Sequence, residues 1–303
     1  MPSLEDKIRS LKKEKDALIL AHYYQTADIQ AIADHVCDSF EMARRAAQAS
    51  AKILVICGVR FMAESAKILN PGKTVLLPAA DAGCPMADMI QPKDVLALRQ
   101  KHPQAAVVCY INSSAAVKAV SDVCCTSSSA VHVVRSLPQR QIVFVPDQNL
   151  GAYVAGQVPE KELILFPGCC PVHHDVTIHD VLTARRAHPQ ALLLMHPECR
   201  PEVLAYADTI GSTSDIIDTA LHSAARSFII ATEQEIAEGL KVLAPEKEFH
   251  MVNNRFLCPD MKKTRLADIA ESLETMRFEI KMTPGEIAAA ALSLERMVET
   301  KVR

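Results

Sequence analysis

Nine short apolar runs punctuate the chain: Ala17 to His22, Ile53 to Gly58, Thr74 to Pro78, Ala106 to Tyr110, Ile142 to Pro146, Leu163 to Pro167, Leu192 to His196, Phe228 to Thr232 and His250 to Asn253. They lack the alternation of a half-solvated strand, so each predicts a strand buried on both faces. Longer segments of helical period lie between them, several opened by Pro or a Ser/Thr/Asp cap, as in Pro92 to His102 and Thr177 to His188. At the start, Ser3 to Lys15 sets Leu4, Ile8 and Leu11 on one face behind a Ser3-x-x-Asp6 signature, which predicts a capped amphipathic helix. Strand and helix alternate throughout, predicting an α/β architecture with parallel sheets covered on both faces.

The pattern also repeats. Asp94 to Tyr110 (DVLALRQKHPQAAVVCY) matches Asp180 to His196 (DVLTARRAHPQALLLMH) without a gap at an offset of 86 residues, and Asp6 to His22 lies on the same frame 88 residues earlier. The same pair of offsets links His22, Tyr110 and His196; Tyr24, Asn112 and Glu198; and Ser39, Ser127 and Thr213. The cysteines keep nearly the same beat, 86 residues from Cys84 to Cys170 and 88 to Cys258. Internal periodicity of this kind predicts similar units that each contribute one residue to every tier of a shared centre. Side chains just past the C-terminal ends of parallel strands face the crevice where α/β folds place ligands. The expected division is 1–87, 88–173 and 174–260 for three αβα repeats related by pseudo-threefold symmetry around a central site. A helical segment, 261–303, is expected to pack on the first repeat.

Composition narrows the chemistry. The 303 residues are 49% hydrophobic, with net charge -3 and no basic run longer than Lys12-Lys13, so neither nucleic acid nor an anionic membrane is expected as a partner. The charged start is not a signal peptide and no apolar stretch reaches the roughly 18 residues of a membrane span, so a cytoplasmic location is expected. In a reducing compartment the ten cysteines are thiols, metal ligands or catalytic groups rather than disulfides.

Cys84, Cys170 and Cys258 are each followed by proline, which stiffens the backbone and removes an N–H that would need a partner. A lone cysteine is usually core filling. Three in a repeated context point to metal, and the other seven keep the core assignment. Three thiolates suit two sites: zinc, which would want a fourth protein ligand and typically close C-x-x-C pairs, absent here, or an iron–sulfur cluster. A [4Fe-4S] cluster is normally held by four cysteines, so three leave one iron open to act as a Lewis acid. His22 and His196 end strands, with Tyr24 and Glu198 on the same face two residues on, and suit proton transfer in an order the pattern leaves open. His173 stands three residues after Cys170. Ser39, Ser127 and Thr213 open helical stretches, where a hydroxyl either caps the first turn or, with the free N–H groups, holds phosphate or carboxylate. Two other readings stay open: a non-catalytic metal or redox-sensing protein, and a cluster-free lyase or aldolase, although no Schiff-base lysine motif is evident.

At this point the chain resembles the quinolinate synthase family of NAD biosynthesis over essentially its whole length. The resemblance rests on Ala-His-Tyr-Tyr-Gln (21 to 25), Cys-Gly-Val-Arg-Phe-Met-Ala-Glu (57 to 64), Ala-Gly-Cys-Pro-Met-Ala-Asp (82 to 88), Tyr110-Ile111-Asn112, Gly168 to His173, His-Pro-Glu-Cys (196 to 199), Gly-Ser-Thr-Ser (211 to 214) and Cys258-Pro-Asp-Met-Lys262. It implies a [4Fe-4S] cluster held by Cys84, Cys170 and Cys258, and condensation of iminoaspartate with dihydroxyacetone phosphate to quinolinate, phosphate and two waters. It implies that His22, Tyr24, Ser39, Tyr110, Asn112, Ser127, His173, His196, Glu198, Ser212 and Thr213 surround the substrates, with His22, Tyr24, His173, His196 and Glu198 catalytic. Functional coupling to L-aspartate oxidase or aspartate dehydrogenase is implied as well. Two departures from the family pattern are Cys169, where an aromatic is common, and Ala231 in place of glycine.

Overall fold

The computed structural model describes residues 3–299. Its first sheet contains β1 (Ala17–His22), β2 (His35–Cys37), β3 (Ile53–Cys57) and β4 (Thr74–Leu76). The second contains β5 (Ala106–Tyr110), β6 (Val123–Cys125), β7 (Gln141–Val145) and β8 (Glu162–Leu165). The third contains β9 (Leu192–Met195), β10 (Thr209–Ile210), β11 (Ser227–Ala231) and β12 (Glu248–Met251). The strand orders, β2-β1-β3-β4, β6-β5-β7-β8 and β10-β9-β11-β12, are one topology used three times, with parallel pairing in each sheet. Helices flank each sheet, so the molecule consists of three αβα layered units, as the alternating pattern predicts. All nine predicted strands are present. The three unpredicted ones, β2, β6 and β10, are only two or three residues long, and each is the edge strand beside the first strand of its sheet.

Bonds repeat as well as strands. Asp34, Asp122 and Asp208 each accept the N–H of a residue in the first strand of their sheet, Ile19, Val107 and Leu193, at 2.8, 2.7 and 2.7 Å. Each carboxylate also meets a cation at 2.8 Å, Lys12, Arg99 and Arg185 respectively. This latch ties the edge strand's approach to the central strand and lets β2, β6 and β10 be short. The helices Leu4–Glu14, Pro92–Lys101 and Ile178–Ala187 likewise begin with an aspartate, Asp6, Asp94 or Asp180, accepting the N–H of the cap residue. Helix Leu266–Thr275 begins in the same way with Asp268, 88 residues after Asp180, and so continues the frame into the tail.

The tail closes the molecule. Helix Leu266–Thr275 packs on helix Leu4–Glu14 of the first unit. The chain then pairs with the free edge of the first sheet: Leu77 N–H donates to Phe278 O at 3.0 Å and Ile280 N–H to Val75 O at 2.8 Å. Helix Pro284–Glu299 goes further, lying against helix Arg60–Leu69 of the first unit and against β6 and helix Ala115–Ala119 of the second. Its Ala290, Leu294 and Met297 are fully buried, so it is a joint between units rather than an appendage. Among the described residues no helix is long and apolar enough to cross a membrane.

Candidate active site

In this strand order the chain reverses direction across the sheet between the first and third strands, opening a crevice at their C-terminal ends. The residues found there are His22, which ends β1, and Tyr24 beyond it; Tyr110, which ends β5, and Asn112 beyond it; and His196 and Glu198 after β9, and all six line one cavity. The turn after β1 is set by the Tyr24 N–H, which donates to His22 Nδ1 at 3.2 Å. Burial pushes the His22 imidazole down to about 3, helped by the Lys262 charge. The ring is therefore neutral with its proton on Nε2. After β9 the Glu198 N–H makes the matching approach to His196 Nδ1 at 3.4 Å, and burial holds that imidazole down to about 3 as well.

Glu198 is 3% exposed and sits between two rings, with Oε2 2.9 Å from His173 Nδ1 and 3.5 Å from His196 Nδ1. Burial by itself raises this carboxyl, but the neighbouring His196 and His173, with the hydroxyl of Tyr110, outweigh it and hold Glu198 below the usual carboxylate range. Glu198 is thus a carboxylate. His173 carries the network onward: its Nε2 lies 3.0 Å from Thr232 Oγ1, which lies 2.9 Å from the Tyr24 hydroxyl, itself 3.0 Å from Thr213 Oγ1. Burial and the Glu198 charge push the Tyr24 phenol far above its ordinary value, so it stays protonated. The network gives a continuous path for a proton between a base and an acid. Thr232 is a member that sequence reasoning missed, since it lies outside the repeated tiers and reads as the end of an apolar strand.

The caps at these helix starts fall on neighbouring residues. Asp38, not Ser39, caps helix Ser39–Gln48, its Oδ1 accepting the Glu41 N–H at 2.9 Å. Ser212, not Thr213, caps helix Thr213–His222 in a capping box with Asp215. Helix Ala130–Ser136 begins after Ser129, two residues beyond Ser127. The hydroxyls of Ser39, Ser127 and Thr213 are therefore spared from capping, and all three line the cavity near helix starts. Ser212 does not line it: its hydroxyl donates to Asp215 Oδ2 at 2.6 Å inside the cap.

Cys84, Cys170 and Cys258 line the same cavity. Cys84 and Cys170 occupy the cap positions of the short helices Pro85–Asp88 and Pro171–His174, and Cys258 stands just before the turn Asp260–Lys262. Each sulfur accepts a backbone N–H from three residues on, Ala87, His173 and Met261. Burial nonetheless pushes all three thiols up, Cys84 to about 12. Such thiols become good ligands when a metal displaces their protons. Of the adjacent pair Cys169 and Cys170, it is Cys170 that lines the cavity. Gly168 lets this loop approach β7, since a Cβ there would lie 2.7 Å from the Pro146 carbonyl oxygen.

The donor set fits a metal group. Among the described residues, Cys170, His173 and Glu198 bring ligand atoms within 4.8 Å of one another. Two buried oxygens of cavity-lining residues, Glu198 Oε1 and Asn112 Oδ1, make no close hydrogen bond among the described residues. Since buried polar atoms are nearly always bonded, these two await a ligand.

A cavity built from the strand ends of three repeated units and lined by three cysteines together with a linked carboxylate, imidazole and phenol defines an α/β enzyme suited to acid–base chemistry on a small polar substrate. The family model for the quinolinate synthetase A protein matches residues 6–299, and the chain belongs to that family. A quinolinate synthase of Caldicellulosiruptor saccharolyticus is 50% identical over 296 residues, covering 98% of each chain. One from Clostridium kluyveri is 49% identical over 97% of each chain. Quinolinate synthase 2 of Methanosarcina acetivorans is 47% identical over 97% of this chain and 95% of its own.

Proposed function

We propose that the chain condenses iminoaspartate with dihydroxyacetone phosphate to form quinolinate, phosphate and two waters, using a [4Fe-4S] cluster held by Cys84, Cys170 and Cys258. The observation that carries this reading is that one cavity gathers those three cysteines with an ionised carboxylate and a protonated phenol. When bound, the cluster would offer one iron without a protein ligand as a Lewis acid toward a substrate hydroxyl or carboxylate.

The chain's own residues do the rest. Glu198, whose Oε1 makes no close hydrogen bond among the described residues, is the base that takes a proton from the condensing carbon. Tyr24 gives a proton to a departing oxygen and is resupplied through Thr232 and His173. His22, with its proton on Nε2, donates a hydrogen bond to substrate oxygen. Ser39, Ser127 and Thr213, with nearby helix-start N–H groups, hold carboxylates or phosphate. Tyr110 and Asn112 complete the polar wall, and the apolar side chains of Phe61, Met62 and Met261 exclude water from the other. The same reading takes 1–87, 88–173 and 174–260 as the units, arranged about a pseudo-threefold axis. It also places the protein in the cytoplasm and leaves an aspartate oxidase or dehydrogenase to supply the imine.

The test is iron, sulfide and visible-spectrum analysis of anaerobically prepared protein beside Cys84→Ser, Cys170→Ser and Cys258→Ser, with quinolinate formation followed in parallel. A cluster in the parent and its loss in each variant is expected; full retention in all three defeats the ligand assignment. A second reading draws on the convergence of Cys170, His173 and Glu198, which would suit a single divalent ion with an open position. Stoichiometric zinc with turnover, in protein free of iron and sulfide, would favour it.

A further inference from the structure

Two buried acidic side chains outside the acid–base network hold the loops that carry the thiols. Asp147 caps helix Gln148–Gln157: Oδ1 accepts the Leu150 N–H at 2.7 Å, while Oδ2 accepts the Cys170 N–H at 3.0 Å. Glu233, 86 residues on, divides its oxygens in the same way. Its Oε2 accepts the Glu235 N–H at 2.9 Å, at the start of helix Glu235–Leu243, and its Oε1 accepts the Cys258 N–H at 3.3 Å. Both residues are fully buried. Glu233 has Lys262 as counter-ion at 2.8 Å, whereas Asp147 makes no ion pair among the described residues. A buried carboxylate is costly unless hydrogen-bonded, and the cap alone could be served by serine or threonine. The second oxygen's bond to the cysteine is what distinguishes these two sites.

The backbone around them is the same in all three units. Arg60, Gln148 and Gln234 donate N–H bonds to the carbonyls of Ala82, Gly168 and Phe256, two residues ahead of each cysteine, at 2.9, 2.8 and 2.8 Å. The side chain differs only in the first unit, where the equivalent position is Val59 and offers no acceptor. There the loop is held from outside: Gly83 N–H donates to Asp260 Oδ1 at 3.0 Å, and Asp260 belongs to the Cys258 loop. Lys263 reinforces this tie between Asp260 and Asp81, at 2.8 and 3.3 Å.

We propose that Asp147 and Glu233 are positioning residues that set the Cys170 and Cys258 loops before metal arrives, while the Cys84 loop is set by Asp260 of the third unit. The inference rests on the three cysteines holding an iron–sulfur cluster. Holding the backbone N–H of the ligand residue fixes the direction of its Cα–Cβ bond, so the cost of ordering the thiol is met in folding rather than in binding.

The experiment compares the full chain, Asp147→Ser and Asp147→Glu after anaerobic reconstitution. Serine keeps the helix cap and is too short to reach Cys170, whereas glutamate copies the arrangement at Glu233. Asp147→Ser should lose its visible absorbance to an iron chelator about tenfold faster than the parent, while its cluster-free form keeps the parent's circular dichroism spectrum and cooperative unfolding. Asp147→Glu should restore the slow rate. A parent-like rate in Asp147→Ser, in a parent that does hold a cluster, overturns this proposal alone; a parent that takes up no iron and sulfide overturns the cluster reading with it. Should Asp147→Ser not fold, amide hydrogen exchange in the parent decides: Cys170, bonded to a buried acidic side chain, should exchange more slowly than Cys169, whose N–H faces a thioether at 3.5 Å. Equal rates overturn the proposal.

Discussion

Glu198 is the group whose replacement separates the chemistry from the framework. Glu198→Gln keeps the shape and removes the base, so kcat should fall by about 10²–10⁴ while iron content stays at the parent level. Loss of metal together with activity would instead favour a single ion held by Cys170, His173 and Glu198. His22 makes a separate prediction about pH. Its folded value is about 3 against an ordinary 6.5, so between these limits the unfolded chain binds the additional proton and stability is lost as pH falls. Cluster-free parent and His22→Gln, compared by urea unfolding from about pH 6.5 to about pH 4.5, should shift in the variant's favour by about 1.4 kcal/mol per pH unit. A gap constant with pH would show that His22 is not buried neutral. Residue identities at the strand ends were legible because the repeat marked them. Thr232 was not, since what makes it functional is its distance from His173 and Tyr24, side chains remote in sequence.

Elements show where local pattern stops being decisive. The nine strands of strong apolar character were readable, whereas β2, β6 and β10 are too short to carry a pattern and depend on the latches at Asp34, Asp122 and Asp208. At Asp38-Ser39 either residue could cap the helix, and tertiary contact decides. Asp38 faces the Glu41 N–H and accepts from Ser214 Oγ at 2.6 Å, a bond between the first and third units, which leaves Ser39 turned to the cavity. Asp38→Ala should therefore lower the free energy of unfolding by about 1–2 kcal/mol, read from urea denaturation. It should also weaken substrate binding, seen as a raised KM. Unchanged stability would mean that another group caps this helix.

For the whole molecule, the joint is the C-terminal helix. Leu294 is fully buried between units, and Leu294→Ala should cost about 3 kcal/mol in a chemical denaturation series. A loss under about 1 kcal/mol would show that the helix is dispensable to the fold. The apolar runs, their helical spacers and the offsets of 86 and 88 residues determined by themselves that the chain makes three like α/β units with corresponding polar residues at their strand ends. That information is local, carried by periodicity and turn chemistry within each unit. Only the tertiary structure decided which hydroxyls cap and which face the cavity, which of two adjacent cysteines enters it, that Thr232 joins Tyr24 to His173, and that the last helix binds two units together. These depend on distances between side chains tens to hundreds of residues apart, set by how the units pack, and no pattern within one unit encodes them.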